Sequence, residues 1–250
     1  MTTQPYVNIE IKNGVGIIEF FHPKSNSMPS SQLKNLAESF DTLGQNDEVK
    51  VILLKSKGER VFCAGASFDE LLAIDSPEKG KTFFMGFANV INAMRKCPKI
   101  IVGCIEGKTV GGGVGIAAAC DYAFATKNSS IKLSELSIGI GPFVIEPSVR
   151  RRIGLNALTE LTLNPTQWRL AKWGKKKGLF HKISKDIHKE SLNFAQEMTR
   201  YNLEASAEIK KAFWKDAEDM EALFEDRAAT SGRLALSKFT QNTLAKIKEK

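Results

Sequence analysis

The run Val110-Gly111-Gly112-Gly113-Val114-Gly115 constrains this chain more than any other stretch. An apolar segment, Ile100-Ile101-Val102-Gly103-Cys104-Ile105, precedes it, and Ile116-Ala117-Ala118-Ala119-Cys120-Asp121 follows. The order predicts a buried strand, a glycine turn and a helix of small residues. Glycines at a helix start leave backbone N–H groups free, with the positive end of the helix dipole behind them. Such a place can hold an anion or a developing oxyanion. It can equally be a tight turn that lets helix and strand pack closely. A second loop bears on the choice. Val61-Phe62-Cys63-Ala64-Gly65-Ala66-Ser67 is a short apolar strand ending in small residues, and it follows the strand-like residues 49–54. Two loops of this kind at strand ends can each give one donor to a single oxygen.

The 250 residues are 42% hydrophobic and 26% charged, which fits one large globular domain, or a domain with a helical tail. No apolar run approaches the ~18 residues of a membrane span. Met1-Thr2-Thr3-Gln4-Pro5 lacks the basic and apolar regions of a secretory signal, so a cytoplasmic location is expected, or an organelle after trimming. Cys63, Cys97, Cys104 and Cys120 form no CxxC pair and read as buried, reduced thiols. His22, His181 and His188 have no metal-ligand spacing, and no metal is expected. The net charge of +8 is uneven: residues 150–185 hold ten Lys/Arg against one acid, Glu160. That excess suits a polyanionic ligand, an acidic partner or a solvated face. No nucleic-acid motif accompanies it, so nucleic acid is not an expected partner.

Along the chain, residues 7–11 and 15–20 alternate around an Asn13-Gly14 hairpin turn. Ser30 or Ser31 can cap a helix that places Leu33, Leu36, Phe40 and Leu43 on one face. Phe83, Phe84, Phe87, Val90, Ile91 and Met94 space as a longer helix, and short strands are expected at 122–125 and 131–133. From Pro147 the pattern reads as helix throughout, over 147–153, 156–163, 166–174, 186–201, 205–216 and 219–246. The expected organisation is an α/β core over 1–146 and a helical region over 147–250.

His22-Pro23-Lys24-Ser25-Asn26, Phe62-Cys63-Ala64-Gly65-Ala66, Gly111-Gly112-Gly113 to Cys120-Asp121, Leu133-Ser134-Glu135 to Gly139, and Gly178-Leu179-Phe180 fall in a specific order. In these pieces the chain resembles the crotonase (enoyl-CoA hydratase/isomerase) superfamily over nearly its whole length, and looks closest to methylglutaconyl-CoA hydratase-like members. The resemblance implies a spiral of ββα turns with a C-terminal helical trimerisation region, assembled as a homotrimer or a dimer of trimers. It implies an acyl-CoA thioester substrate, with coenzyme A part of that substrate and no separate cofactor. By position, the N–H groups of Ala66 and Gly112 would hold the thioester oxygen. Backbone near Ala64 and Ala66, and Lys24 in the first loop, would meet the CoA. Lys238 and Phe239 lie where some members reach a neighbouring subunit's CoA.

Members with two glutamates would carry the first at residue 115, which is glycine here, and the second at residue 135, which is Glu135. A single carboxylate walled by Leu133, Leu136 and Ile138 is expected to have its pKa raised towards ~6–7 and to shuttle one proton. Without the resemblance, Glu135 reads as a helix-start carboxylate after Ser134, and Glu146 as one before Pro147. The resemblance thus implies hydration or dehydration of a 2-enoyl-CoA with a straight or branched acyl group, as in fatty acid metabolism. Its alternatives are a Δ3,Δ2-enoyl-CoA isomerase with Glu135 as sole base, a decarboxylase, and a non-catalytic acyl-CoA or RNA-binding protein of the same fold. Residues 71–74 and 83–87 are expected to line the acyl pocket.

Overall fold

The computed structural model describes residues 4–215 and 219–248. The chain opens with strands β1 (Tyr6–Lys12) and β2 (Val15–Phe21), joined by Asn13 and Gly14 at φ 52° and 79°. Then come β3 (Ser27–Met28), helix α1 (Ser30–Gln45), β4 (Val51–Ser56), β5 (Val61–Cys63), β6 (Gly65–Ala66), α2 (Phe68–Leu72) and α3 (Pro77–Lys96). β7 (Ile100–Ile105), β8 (Lys108–Val110), α4 (Gly112–Ala119), β9 (Tyr122–Thr126) and β10 (Ser130–Lys132) complete the first half. A single 3₁₀ turn over Glu135–Ile138 leads to α5 (Glu146–Leu163), β11 (Arg169–Leu170), α6 (Ala171–Lys176) and β12 (Lys182–Ser184). The chain ends in α7 (Ile187–Met198), α8 (Leu203–Phe213), α9 (Met220–Ala235) and α10 (Lys238–Lys248).

The strands form a six-stranded sheet in the order β1-β2-β4-β7-β9-β12, a four-stranded sheet β11-β10-β8-β5 and the pair β3-β6. Among the described residues only β1–β2 and β10–β11 run antiparallel. β7 is buried along its whole length, as a central parallel strand covered on both faces must be, which is why its sequence is a continuous apolar run. On one face of the large sheet Ile52, Leu54 and Ile101 join α1, α3 and α4 in the main core; on the other Leu53, Val102 and Phe124 meet α7. All four cysteines are buried and unpaired, and burial pushes the Cys63, Cys104 and Cys120 thiols up to about 12. No helix among the described residues is long and apolar enough to cross a membrane.

Three local expectations need correction. No serine side chain caps α1: Pro29 occupies the cap, and the Ser30 amide donates instead to Glu70 Oε2 in α2 at 2.9 Å. The region after Pro147 is not helix throughout. Residues 166–174 are split: Arg169 and Leu170 pair with Ile131 and Ser130 before α6 begins. Lys182–Ser184 adds a sixth strand beside β9. Strands of two and three residues carry no readable period, and the basic composition hid them. The long helix over 219–246 is two helices, because Ser237 Oγ accepts from the Thr240 amide and starts α10 afresh. The break between 153 and 156 is where Gly154 stands at φ 74°, ψ 165°. The expected helix 205–216 runs over Leu203–Phe213, and residue 216 lies outside the described residues.

Candidate active site

The two small-residue loops meet at one cavity. In the β3·β6 pair the Ser67 amide donates to the Met28 carbonyl at 3.1 Å. Successive strand amides point to opposite sides, so the Ala66 amide faces away from β3, and Ala66 lies in the cavity wall. The second loop ends β8 and starts α4. Gly111 takes φ 53°, its amide donates to the Lys132 carbonyl at 3.0 Å, and Gly112 begins the helix. The amides of a first helical turn have no intrahelical acceptor, and that of Gly112 is one of them. Gly112 must lack a side chain: a Cβ there would stand 2.3 Å from the Phe87 ring. Gly113 is pressed in the same way against Cys63, so close packing and free donors come from the same glycines.

Glu135 opens the 3₁₀ turn beside Gly111. Its Oε1 lies 3.0 Å from the place a Gly111 Cβ would take. Its Oε2 is buried without a hydrogen-bond partner. Desolvation pushes the Glu135 carboxyl up from 4.5 to about 7, only partly opposed by a hydrogen bond to its own amide. The wall around it differs from the expected one. Leu133 is buried and Ile138 lines the cavity, but Leu136 is 42% exposed, because the tight turn aims it outward. At the end of the turn Gly139 abuts Phe239 and Thr240, so α10 seats on the Glu135 turn of its own chain, with Phe239 still largely exposed.

The cavity has a volume of about 230 Å³, and Ala64, Ala66, Gly112 and Glu135 all line it. Leu71, Phe83, Phe84 and Phe87 supply much of its apolar side, while Ile74 lies outside. Lys24 is not in the wall either; its ammonium pairs with Asp69 on the surface. Glu146 is also outside and is held by Arg150 and Arg227 at 3.6 and 3.7 Å. Sequence reasoning missed Phe143 and Ile145, which also line the cavity. A Cβ on Gly115 would stand 2.5 Å from Ile145 Cγ2, so Ile145 fills the space that a side chain at residue 115 would enter. The signal available in the sequence was the segment 133–147, which departs from the glycine-rich continuation common after that glutamate in the family it resembles.

Backbone amides in the wall of one cavity, with a desolvated carboxyl beside them, are groups that can stabilise an oxyanion and move a proton. Comparison with known proteins bears on what such a site serves. The sequence profile described as enoyl-CoA hydratase/isomerase matches residues 10–245. An enoyl-CoA hydratase of Alternaria alternata is 32% identical over 133 residues, 53% of this chain and 43% of its own. A mitochondrial methylglutaconyl-CoA hydratase of Mus musculus is 32% identical over 117 residues, 47% of this chain and 37% of its own. Each of these matches spans less than half the relative's length. The solved structure of an enoyl-CoA hydratase from Bacillus halodurans superposes with a TM-score of 0.89 at 22% identity, over 96% of this chain and 99% of that one. The fold is thus the crotonase fold, and the chain belongs to the enoyl-CoA hydratase/isomerase family of enzymes.

Proposed function

We propose that the protein hydrates, or in reverse dehydrates, a 2-enoyl-CoA thioester, with Glu135 as its one proton carrier. The observation that carries this reading is the Glu135 carboxyl, sealed beside Gly111 in the cavity that Ala66 and Gly112 also line. The Ala66 and Gly112 amides donate to the thioester oxygen. Glu135 takes a proton from water as the water oxygen bonds to C3, and the C2=C3 electrons pass into the thioester as an enolate. The same carboxyl then returns the proton to C2. Donors fixed in advance act where charge grows, and losing one such donor costs about 3–4 kcal/mol of barrier. A pKa near 7 suits a group that must both take and give a proton at neutral pH.

One observation favours a second reading. Among the described residues Glu135 is the only carboxyl in the cavity wall, and the space by Gly115 is filled by Ile145. Shifting a double bond from C3 to C2 needs one base, which removes a proton from C2 and returns it at C4. The test is to incubate the protein with crotonyl-CoA and with a 3-enoyl-CoA and to identify the products by mass and NMR. Gain of one water on crotonyl-CoA supports the hydratase. A mass-neutral shift of the 3-enoyl double bond without hydration replaces it with the isomerase, and no reaction with either overturns both. A homotrimer or dimer of trimers belongs to the same proposal and rests on the family likeness.

A further inference from the structure

The cavity wall has a chemical bias that bears on substrate choice. Among the described residues it holds no lysine, arginine or histidine. Its polar side chains are Ser134, Glu135 and Ser231, and the Ser231 hydroxyl already donates to the Arg227 carbonyl at 2.9 Å. Arg150 and Arg227 both pair with Glu146 and do not line the cavity. Phe143 and Ile145 add apolar groups to the wall, Ile145 in the space beside Gly115.

We propose that the site selects thioesters of uncharged acyl groups and rejects acyl groups that end in a second carboxylate, with Phe143 and Ile145 as the specificity-determining residues. This rests on the reaction proposed above and names its substrate class. Two physical terms act together. A carboxylate taken from water into this wall gains no counterion, and an unpaired buried charge is strongly disfavoured. It also shares a small space with Glu135, so the two acids oppose each other's ionisation. An apolar chain end meets neither penalty and gains contact with the rings.

The experiment reads binding apart from turnover. Two saturated thioesters that cannot be hydrated are titrated calorimetrically: glutaryl-CoA, and 5-methylhexanoyl-CoA, in which an isopropyl group replaces the carboxylate at similar shape. The expected result at pH 8 is tighter binding of the uncharged ligand by about 100-fold, the order set by an unpaired buried charge. A ratio under about tenfold, or tighter binding of glutaryl-CoA, overturns the proposal. Phe143 is half-buried, so Phe143→Lys tests the assignment with less risk to folding than a change at Ile145. With circular dichroism unchanged, F143K should cut the ratio at least about tenfold by strengthening glutaryl-CoA, the gain of one buried charge pairing. An unchanged ratio in the folded variant removes Phe143 from the proposal. Should every 2-enoyl and 3-enoyl thioester fail to react, the proposed reaction falls while the binding ratio still reports the wall.

Discussion

At the scale of single residues, the state of Glu135 makes opposite demands on activity and stability. Its carboxyl is pushed up from 4.5 to about 7 by burial. Folding therefore favours its neutral form. Below about pH 4.5 both folded and unfolded chains hold the proton, and the site costs nothing. As pH rises towards 7 the unfolded chain releases the proton first, so stability falls, by about 3 kcal/mol in all. Glu135→Gln keeps the shape without the charge. Denaturant midpoints should show this variant above the wild type at pH 8 and level with it near pH 4.5. Its turnover should drop by about 10²–10⁴-fold, the range for losing a general acid–base. Equal turnover in the variant would exclude Glu135 as the proton carrier.

At the scale of elements, what could be read from the sequence followed from pattern length. The Ile100–Ile105 strand, the glycine turn and the Leu33, Leu36, Phe40 and Leu43 face of α1 stand as expected, because each repeats over several residues. The two loops that carry Ala66 and Gly112 line one cavity. Lost were β11 and β12, too short to carry a period, and the Glu70 contact that takes the place of a cap on α1. Ile145 in the space beside Gly115 was hidden too, since only the folded chain puts residues 115 and 145 side by side. The same holds for the crossing of α3 and α9, where Gly80 and Gly232 meet backbone to backbone. A Cβ on Gly232 would stand 2.6 Å from the Lys81 amide nitrogen, and one on Gly80 2.6 Å from Gly232 Cα. Nothing at such a contact can yield by a rotamer change. Gly232→Val must push the helices apart, at a cost of about 1–3 kcal/mol or more. Urea unfolding should show a lower midpoint with unchanged slope; a wild-type midpoint would mean the crossing is looser than the backbone distances require.

At the scale of the whole molecule, the C-terminal helices are tied to the sheet by a charge pair with almost no access to water. Lys210 of α8 lies 3.1 Å from Asp121, with side chains 2% and 3% exposed. The lysine also donates to the Lys99 carbonyl at 2.8 Å, and Asp121 accepts from the Ile101 amide at 2.9 Å. Removing one partner strands the other's charge, which costs about 3–5 kcal/mol. Lys210→Met should therefore lower the melting temperature by on the order of 10 °C. Adding Asp121→Asn should restore part of the loss, since the amide oxygen can still accept from Ile101. A Lys210→Met protein that melts with the wild type would show that α8 is anchored by its apolar contacts alone.

The packing of all four cysteines has a consequence of its own. Cys63 sits under the Ala66 loop, where the Gly65 amide donates to its sulfur at 3.4 Å, while Cys97, Cys104 and Cys120 lie along and behind β7. An alkylating reagent can reach none of them without some opening of the fold, and as long as they stay buried their reactive thiolates are scarce. The four sulfurs are thus silent tags distributed from beside the Ala66 loop to the centre of the sheet. The order in which they become labelled is a record, written into the native sequence, of which part of the protein lets go first.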